Sequence, residues 1–548
     1  MTEKRRKYPV GIQTFSRLIR EGYVYVDKTD LVWEMANEDN PFLFLARPRR
    51  FGKSLLASTL HSFFAGEREL FRGLKVDSLE WDWQQYPVFH FDLSGAKHLP
   101  PKDVRKELER QLEKMERTYG RNEVDTTPGM RLAGLVERAH EQSGLQVVVI
   151  IDEYDAPLLD VLHEDDDLKA IRDVLQEFYQ NLKMLEPYIK RCFITGITKF
   201  SQLSIFSTIN NITIISMLPK YAALCGVTEE ELTTTLAPDI ALLAREYECT
   251  PEEMHRRLKE RYDGYMFSER APEVYNPFSL FKAFSTGKVA NYWFESGTPS
   301  FLIRQMQKFN TDITALDDME ADASAFDQPT ENMPDALPLL YQSGYLTIKG
   351  YDRELEAYTL GIPNQEVQTG YAEGLIPTYI GLDSTDVQMG FAAKFWRALK
   401  KGDIDLAMRE MQAFLSLTPG PSPIGEGSIY NYHGKTEVDV TTPLSSRRGA
   451  GGEAEKFYEY TFYLIFNMLN VYVRTQVKCS GGRIDMVVLM PQATYVFELK
   501  MHESAQKALE QINANGYALP YETDGRRVVR VGLHFDLDSR TLDEWVVG

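Results

Sequence analysis

Apolar runs and charge-rich amphipathic stretches alternate along the first two hundred residues. The runs are Phe42 to Ala46, Pro87 to Leu93, the five consecutive β-branched residues Val147 to Ile151, and Cys192 to Thr195. Each reads as a strand, and the β-branched run Val147 to Ile151 as one buried on both faces, as in parallel sheets. Between them, 102–118 and 129–143 have helical spacing, so the pattern predicts a three-layer α/β domain with a parallel sheet over 1–220. Tyr23 to Thr29 reads as a strand and turn.

From 221 to 345 the pattern becomes mainly helical. Thr228-Glu229-Glu230-Glu231-Leu232 reads as a helix start with acidic residues in its first turn. Tyr262-Asp263-Gly264-Tyr265 and Asn276-Pro277-Phe278 read as turns, and the segment as a lid or helical extension. A helical connector is expected within 346–418. A Pro/Gly/Ser-rich stretch, Thr418-Pro419-Gly420-Pro421 onward, then breaks the pattern over 419–452 and predicts an inserted loop with no core of its own. The last segment, 453–548, opens on an aromatic-rich helix with Glu455 and Glu459 one turn apart. A turn running into a strand over 481–489, a strand at 494–500 and a helix at 502–515 follow, a second α/β unit.

At 548 residues the chain is too long for one core. Hydrophobic content of 43% and charged content of 26% are those of a globular protein. The net charge of −19 argues against a protein that coats nucleic acid generally, though not against a local basic groove. Four scattered cysteines form no Cys-x-x-Cys pair, which predicts neither structural zinc nor a disulfide framework and fits a reducing cytoplasm. No signal peptide and no membrane partner are expected, since no apolar run approaches the 18 or so residues of a span.

Two places carry candidate chemistry. The run Phe42–Ala46 leads into Arg47-Pro48-Arg49-Arg50-Phe51-Gly52-Lys53-Ser54, and a helical stretch follows. Strand, tight loop, Gly-Lys-Ser, helix is the layout of a phosphate-binding loop, although Arg47 stands where a glycine is usual. Backbone N–H groups at the helix N-terminus would face the phosphates, Lys53 would reach the β- and γ-phosphates, and Ser54 would hold Mg²⁺. A hundred residues on, Asp152 at the strand end would share that ion and Glu153 would polarise the attacking water. The expected nucleotide-binding set is Arg49, Arg50, Phe51, Gly52, Lys53, Ser54, Leu55 and Asp152, with ATP and Mg²⁺ as cofactors. Thr195, Thr198 and Lys199, at the tip of a later strand, read equally as γ-phosphate sensors or as a plain turn.

In the last segment Asp485 enters one strand, and Glu498 and Lys500 share one face of the next. A hairpin would join the two carboxylates into a Mg²⁺ site, with Lys500 orienting water or stabilising phosphate charge and Glu459 completing the metal shell. Phe497 and Leu499 alternate with Glu498 and Lys500, so a half-exposed amphipathic strand is the other reading.

Taken together, Tyr8-Pro9-Val10-Gly11, Tyr25-Val26-Asp27-Lys28-Thr29, Arg47 to Ser54, Ile151 to Asp155, Thr195 to Lys199 and Asn291-Tyr292-Trp293-Phe294 resemble the AAA-ATPase-like proteins. Gly482-Arg483-Ile484-Asp485, Phe497-Glu498-Leu499-Lys500 and Gln511 resemble the PD-(D/E)xK nuclease superfamily. The resemblance covers nearly the whole chain and makes Arg47 a habit of the family. It implies the fold and cofactors of a bacterial P-loop ATPase joined to a restriction-endonuclease-like domain, and the leading reading is that the ATPase module controls a nuclease acting on DNA or RNA. Asp485, Glu498 and Lys500 would then be catalytic in that domain and Glu153 in the ATPase. The alternatives are an ATP-dependent switch whose nuclease fold only binds nucleic acid or a partner, and a plain NTPase whose C-terminal domain serves oligomerisation. Self-assembly is left open.

Overall fold

The computed structural model describes residues 5–159, 161–162, 165–199, 212–296, 300–329, 333–381, 385–418, 450–479, 481–523 and 525–548. They form two compact units. The first comprises residues up to Thr311 together with Asp318–Glu366; the second comprises Asp312–Asp317 and Val367–Gly548.

The first unit is built on β1 (Phe42–Ala46), β2 (Val88–Asp92), β3 (Val147–Asp152), β4 (Ile189–Gly196) and β5 (Thr213–Ile214). They pair in the order β2-β3-β4-β1-β5, every pair parallel. All residues of β1 and β3 are buried, which explains why these two runs show no alternation of polar and apolar positions. Helices Pro101–Tyr119 and Pro128–Ser143 lie where the amphipathic spacing put them. The second starts cleanly because Thr127 accepts from the Met130 N–H and Pro128 occupies the first helical position.

The helical extension begins as expected. Thr228 and Glu231 form a reciprocal capping box at the start of Glu229–Thr234. Two expectations fail locally. Asn276-Pro277-Phe278 is not an interrupting turn but a helix start: the Asn276 side chain accepts from the Ser279 N–H, and Pro277 opens Pro277–Thr286. Tyr23–Asp27 forms only an isolated bridge, Lys7 to Tyr23, and a helix begins at Thr29. There Asp27 accepts from the Thr29 amide and hydroxyl, so the polar turn residues end the extended stretch before it can pair.

Short strands β6 (Val227–Thr228) and β7 (Val274–Tyr275) pair antiparallel. A three-stranded antiparallel sheet contains β8 (Met319–Ala321), β9 (Thr347–Asp352) and β10 (Ala357–Gly361), with β10 central. The unit boundary therefore falls inside the segment 346–418: its first residues form β9 and β10 in the sheet with β8, and helices start at Gln365. The Pro/Gly/Ser-rich insertion lies outside the described residues up to 449, and 450–452 already belong to helix Ala450–Met468.

The second unit carries a five-stranded mixed sheet, β11 (Tyr472–Cys479), β12 (Gly482–Leu489), β13 (Ala493–Lys500), β14 (Arg527–Asp536) and β15 (Thr541–Val547), paired in that order. Only β13 and β14 run parallel, which the crossing helix Ala505–Ala514 allows. That helix packs so closely that a Cβ at Gly532 would lie 2.2 Å from the Ala505 carbonyl oxygen.

Candidate functional sites

In the first unit the chain leaves β1 through Arg47 and turns at Arg50 (φ 66°) and Gly52 (φ 91°) into helix Lys53–Phe64. The left-handed conformation at Gly52 carries no Cβ penalty, which suits the residue just before a phosphate-facing helix N-terminus. Lys53 is buried, and its ammonium donates to the carbonyls of Arg47 (2.9 Å) and Pro48 (3.0 Å). Burial lowers its pKa, opposed by the charges of Glu153, Asp152 and Asp155. Ser54 hydrogen-bonds the Asp152 carboxylate across the gap between the two motifs. Asp152 also accepts from the Glu153 N–H at 3.0 Å. Burial raises both acids, with Lys53 pulling them back down.

Glu153 sits at φ 50°, a left-handed conformation that costs a non-glycine residue on the order of 1–3 kcal/mol and gathers at functional positions. A cavity of about 440 Å³ opens here, lined by Arg49, Arg50, Gly52, Lys53, Ser54, Leu55 and Glu153. Its far wall comes from Pro9 and Gly11 and from Pro277, Phe278 and Phe281. The volume suits a nucleotide. The residues fit the group: a glycine-turned helix N-terminus, a lysine at the loop, and an oxygen pair for a hard cation.

Several sequence-picked residues have other bonds. Phe51 does not line the cavity; its ring packs edge-on against Tyr265 and Phe267, centroids 4.7 and 5.5 Å away. Arg47 is fully buried, donates to the carbonyls of Ala46, Ser216 and Tyr221, and lies over the Phe267 ring. It fastens the loop's entry to the chain beyond β5, a task no glycine performs. The strand tip is likewise occupied. Thr195 donates to the Leu45 carbonyl, the Thr198 hydroxyl to Asp155, and Lys199 pairs with Asp327.

Asp155, unassigned by motif, turns out to hold this corner together. One carboxylate oxygen accepts from the N–H groups of Ile197 (2.9 Å) and Thr198 (2.7 Å) and from the Thr198 hydroxyl (2.8 Å). Phe278, Phe281 and Lys97 were also missed as cavity residues, because nothing in their local pattern marks which helix face meets the loop.

In the second unit, Met486 of β12 pairs with Phe497 of β13, and Asp485 and Glu498 are the next residue of each strand beyond that pair. Asp485 accepts from the Leu499 N–H at 2.8 Å. Lys500 donates to Glu498 (3.2 Å) and to the Gln511 carbonyl oxygen (2.7 Å), and Gln511 donates back to Glu498. Glu498 is 2% exposed, and its Oε2 has no protein hydrogen-bond partner. A buried acceptor left open in this way fits a cation ligand. Burial raises Asp485 and Glu498 well above the usual carboxylate range, with the Asp485 charge adding to the rise at Glu498.

Glu459 is also buried, and burial with the charges of Asp312 and Asp485 pushes it up to about 7 against the hydrogen bonds of Thr475 and Gln476 of β11. Its neighbour one turn earlier, Glu455, raises Asp485 by its charge. Among the described residues no group of three or more His, Cys, Asp or Glu stands close enough to hold a metal together. The centre is thus a carboxylate pair with lysine and glutamine, and the helix acids stand further off.

Residues 9–206 match the family described as predicted AAA-ATPase, and residues 453–545 match the PD-(D/E)XK nuclease superfamily. A protein of Azotobacter chroococcum mcd 1, described as an uncharacterized protein in the vnfD 5' region, is 33% identical over 556 residues, covering 99% of both chains. The chain belongs to this family of AAA-ATPase-like proteins with a C-terminal PD-(D/E)XK domain. The parallel sheet with its Gly-Lys-Ser loop is the AAA-like domain, and the mixed sheet β11–β15 is the nuclease-superfamily domain. No described helix is long and apolar enough to cross a membrane.

Proposed function

We propose that the protein binds and hydrolyses ATP in its first unit and thereby controls a Mg²⁺-dependent phosphodiesterase centre in its second, acting on DNA or RNA. Lys53 and the helix N-terminus bind the phosphates, Ser54 and Asp152 hold the nucleotide's cation, and Glu153 orients the attacking water. In the second unit Asp485 and Glu498 hold the metal. Lys500, fixed between Glu498 and Gln511, orients water or carries charge developing on the phosphate. Mg²⁺, when bound, supplies positive charge at the phosphate oxygens and makes bound water more acidic.

The observation that carries the reading is Glu498. Its Oε2 is buried and unpartnered beside an ordered lysine, and an inactive remnant gains nothing from keeping that cost. The test is metal-dependent cleavage of a DNA and RNA panel with and without ATP. Asp485→Ala is expected to abolish cleavage and Lys53→Ala to uncouple it from ATP. Absence of cleavage with ATP hydrolysis intact would leave an ATP-dependent switch instead.

A further inference from the structure

The motif Asn291-Tyr292-Trp293-Phe294 has no part in either centre, yet Tyr292 and Trp293 touch the nucleotide loop from its outer side. The Trp293 indole N–H donates to the Arg49 carbonyl at 3.3 Å. Arg50, whose guanidinium lies over the Phe278 ring, donates to the Tyr292 carbonyl at 3.0 Å. Pro48 presses against Gly344: a Cβ there would lie 2.7 Å from the proline ring and 3.5 Å from the Trp293 indole. Gly344 has φ +86°, so both its conformation and its contacts call for glycine. Three successive loop residues, Pro48, Arg49 and Arg50, are therefore each held from outside.

The same two residues are gripped from behind. The amides of Tyr292 (2.6 Å) and Trp293 (3.0 Å) both donate to one carboxylate oxygen of Glu366, which is fully buried. Glu366 lies in the first turn of helix Gln365–Ile380, and the division between the two units falls immediately after it. A loop carbonyl, an indole, two amides and a carboxylate thus connect the nucleotide loop to the last residue of the first unit through direct contacts.

We propose that Tyr292, Trp293 and Glu366 form a positioning clamp that fixes the outer side of the nucleotide loop and passes its state to the start of helix Gln365–Ile380. Phosphate oxygens compete with the carbonyls of Arg47 and Pro48 for the Lys53 ammonium, so nucleotide binding changes the bonding of the residues next to those the clamp holds. The clamp rests on the nucleotide-binding reading of the loop and adds a route by which the second unit can respond to it.

The test uses the full chain, a fluorescent ATP analogue to read affinity, and hydrogen exchange of 288–296 and 363–372 with and without nucleotide. The wild type is expected to gain protection in both segments when ATP binds. Trp293→Phe keeps the ring and removes one donor; it should weaken ATP roughly fivefold, the worth of one hydrogen bond, and lose the response at 363–372. Glu366→Gln retains an accepting oxygen and should restore most of what Glu366→Ala loses. A merely structural role would change melting temperature in the variants but leave the ATP-dependent difference in exchange intact. If the wild type binds ATP and 363–372 does not respond, or Trp293→Phe responds as the wild type does, the clamp is overturned. If the wild type binds no ATP, the nucleotide reading itself fails, and the clamp with it.

Discussion

Asp152, Glu153 and Asp155 lie within four residues, and substitutions can separate what each of them does. Asp155 is the sharpest case. One of its oxygens satisfies two backbone N–H groups and a hydroxyl in a fully buried corner, while the other has no hydrogen-bond partner. Asp155→Ala strands the amides of Ile197 and Thr198, each at a cost of about 1–3 kcal/mol, and the Thr198 hydroxyl can turn elsewhere only in part. Relief from burying a charge offsets some of this. The net expectation is a loss of about 3 kcal/mol in urea-induced unfolding of the first unit. Asp155→Asn keeps an acceptor facing the amides and replaces only the unpartnered oxygen, so it should lose about 1 kcal/mol or less and retain ATP hydrolysis. The assay is paired: urea midpoints for stability and phosphate release for turnover. The reasoning is refuted if Asp155→Ala loses under about 1 kcal/mol, or if Asp155→Asn stops hydrolysis while ATP still binds; the second result would place Asp155 in the chemistry.

Glu153→Gln is expected to lower the ATP hydrolysis rate by about 10²–10⁴-fold with ATP affinity little changed, measured by steady-state turnover beside nucleotide titration. Arg47→Gly, which would restore the usual loop glycine, should destabilise rather than improve the site. It removes a buried guanidinium bonded to three carbonyls, and thermal unfolding should fall by the equivalent of about 2–4 kcal/mol. At the second centre, folding raises the pKa of Asp485 and Glu498, so their contribution to stability is present at low pH and lost as pH rises through the raised values. A divalent cation binds their deprotonated forms, so calorimetric Ca²⁺ affinity should climb from pH 6 to 8, by up to about tenfold per pH unit for each proton released, and Asp485→Asn should flatten the climb.

The sequence by itself determined the parts whose signal is local. Val147–Ile151 could only be a doubly buried strand, Gly-Lys-Ser after an apolar run could only open a helix, and Thr228 to Glu231 carry their own capping box. Period-two spacing also put Glu498 and Lys500 on one face, where they are found bonded to each other. What tertiary structure decided is which neighbour each polar group meets. Arg47 departs from the usual loop glycine with no local reason until the carbonyls of Ser216 and Tyr221, about 170 residues away, accept its hydrogen bonds. Asp155 carries no role in the local pattern until β4 brings Ile197 and Thr198 to it, and the same closure binds the Thr198 hydroxyl to that carboxylate. Asn276-Pro277-Phe278 gave the same local cues for a turn and for a helix cap, and only the turns that follow, packed in the unit's interior, chose the cap. Hydrogen-bond partners distant in sequence leave no periodicity, because the pairing is set by the order of strands in the sheet and not by spacing along the chain.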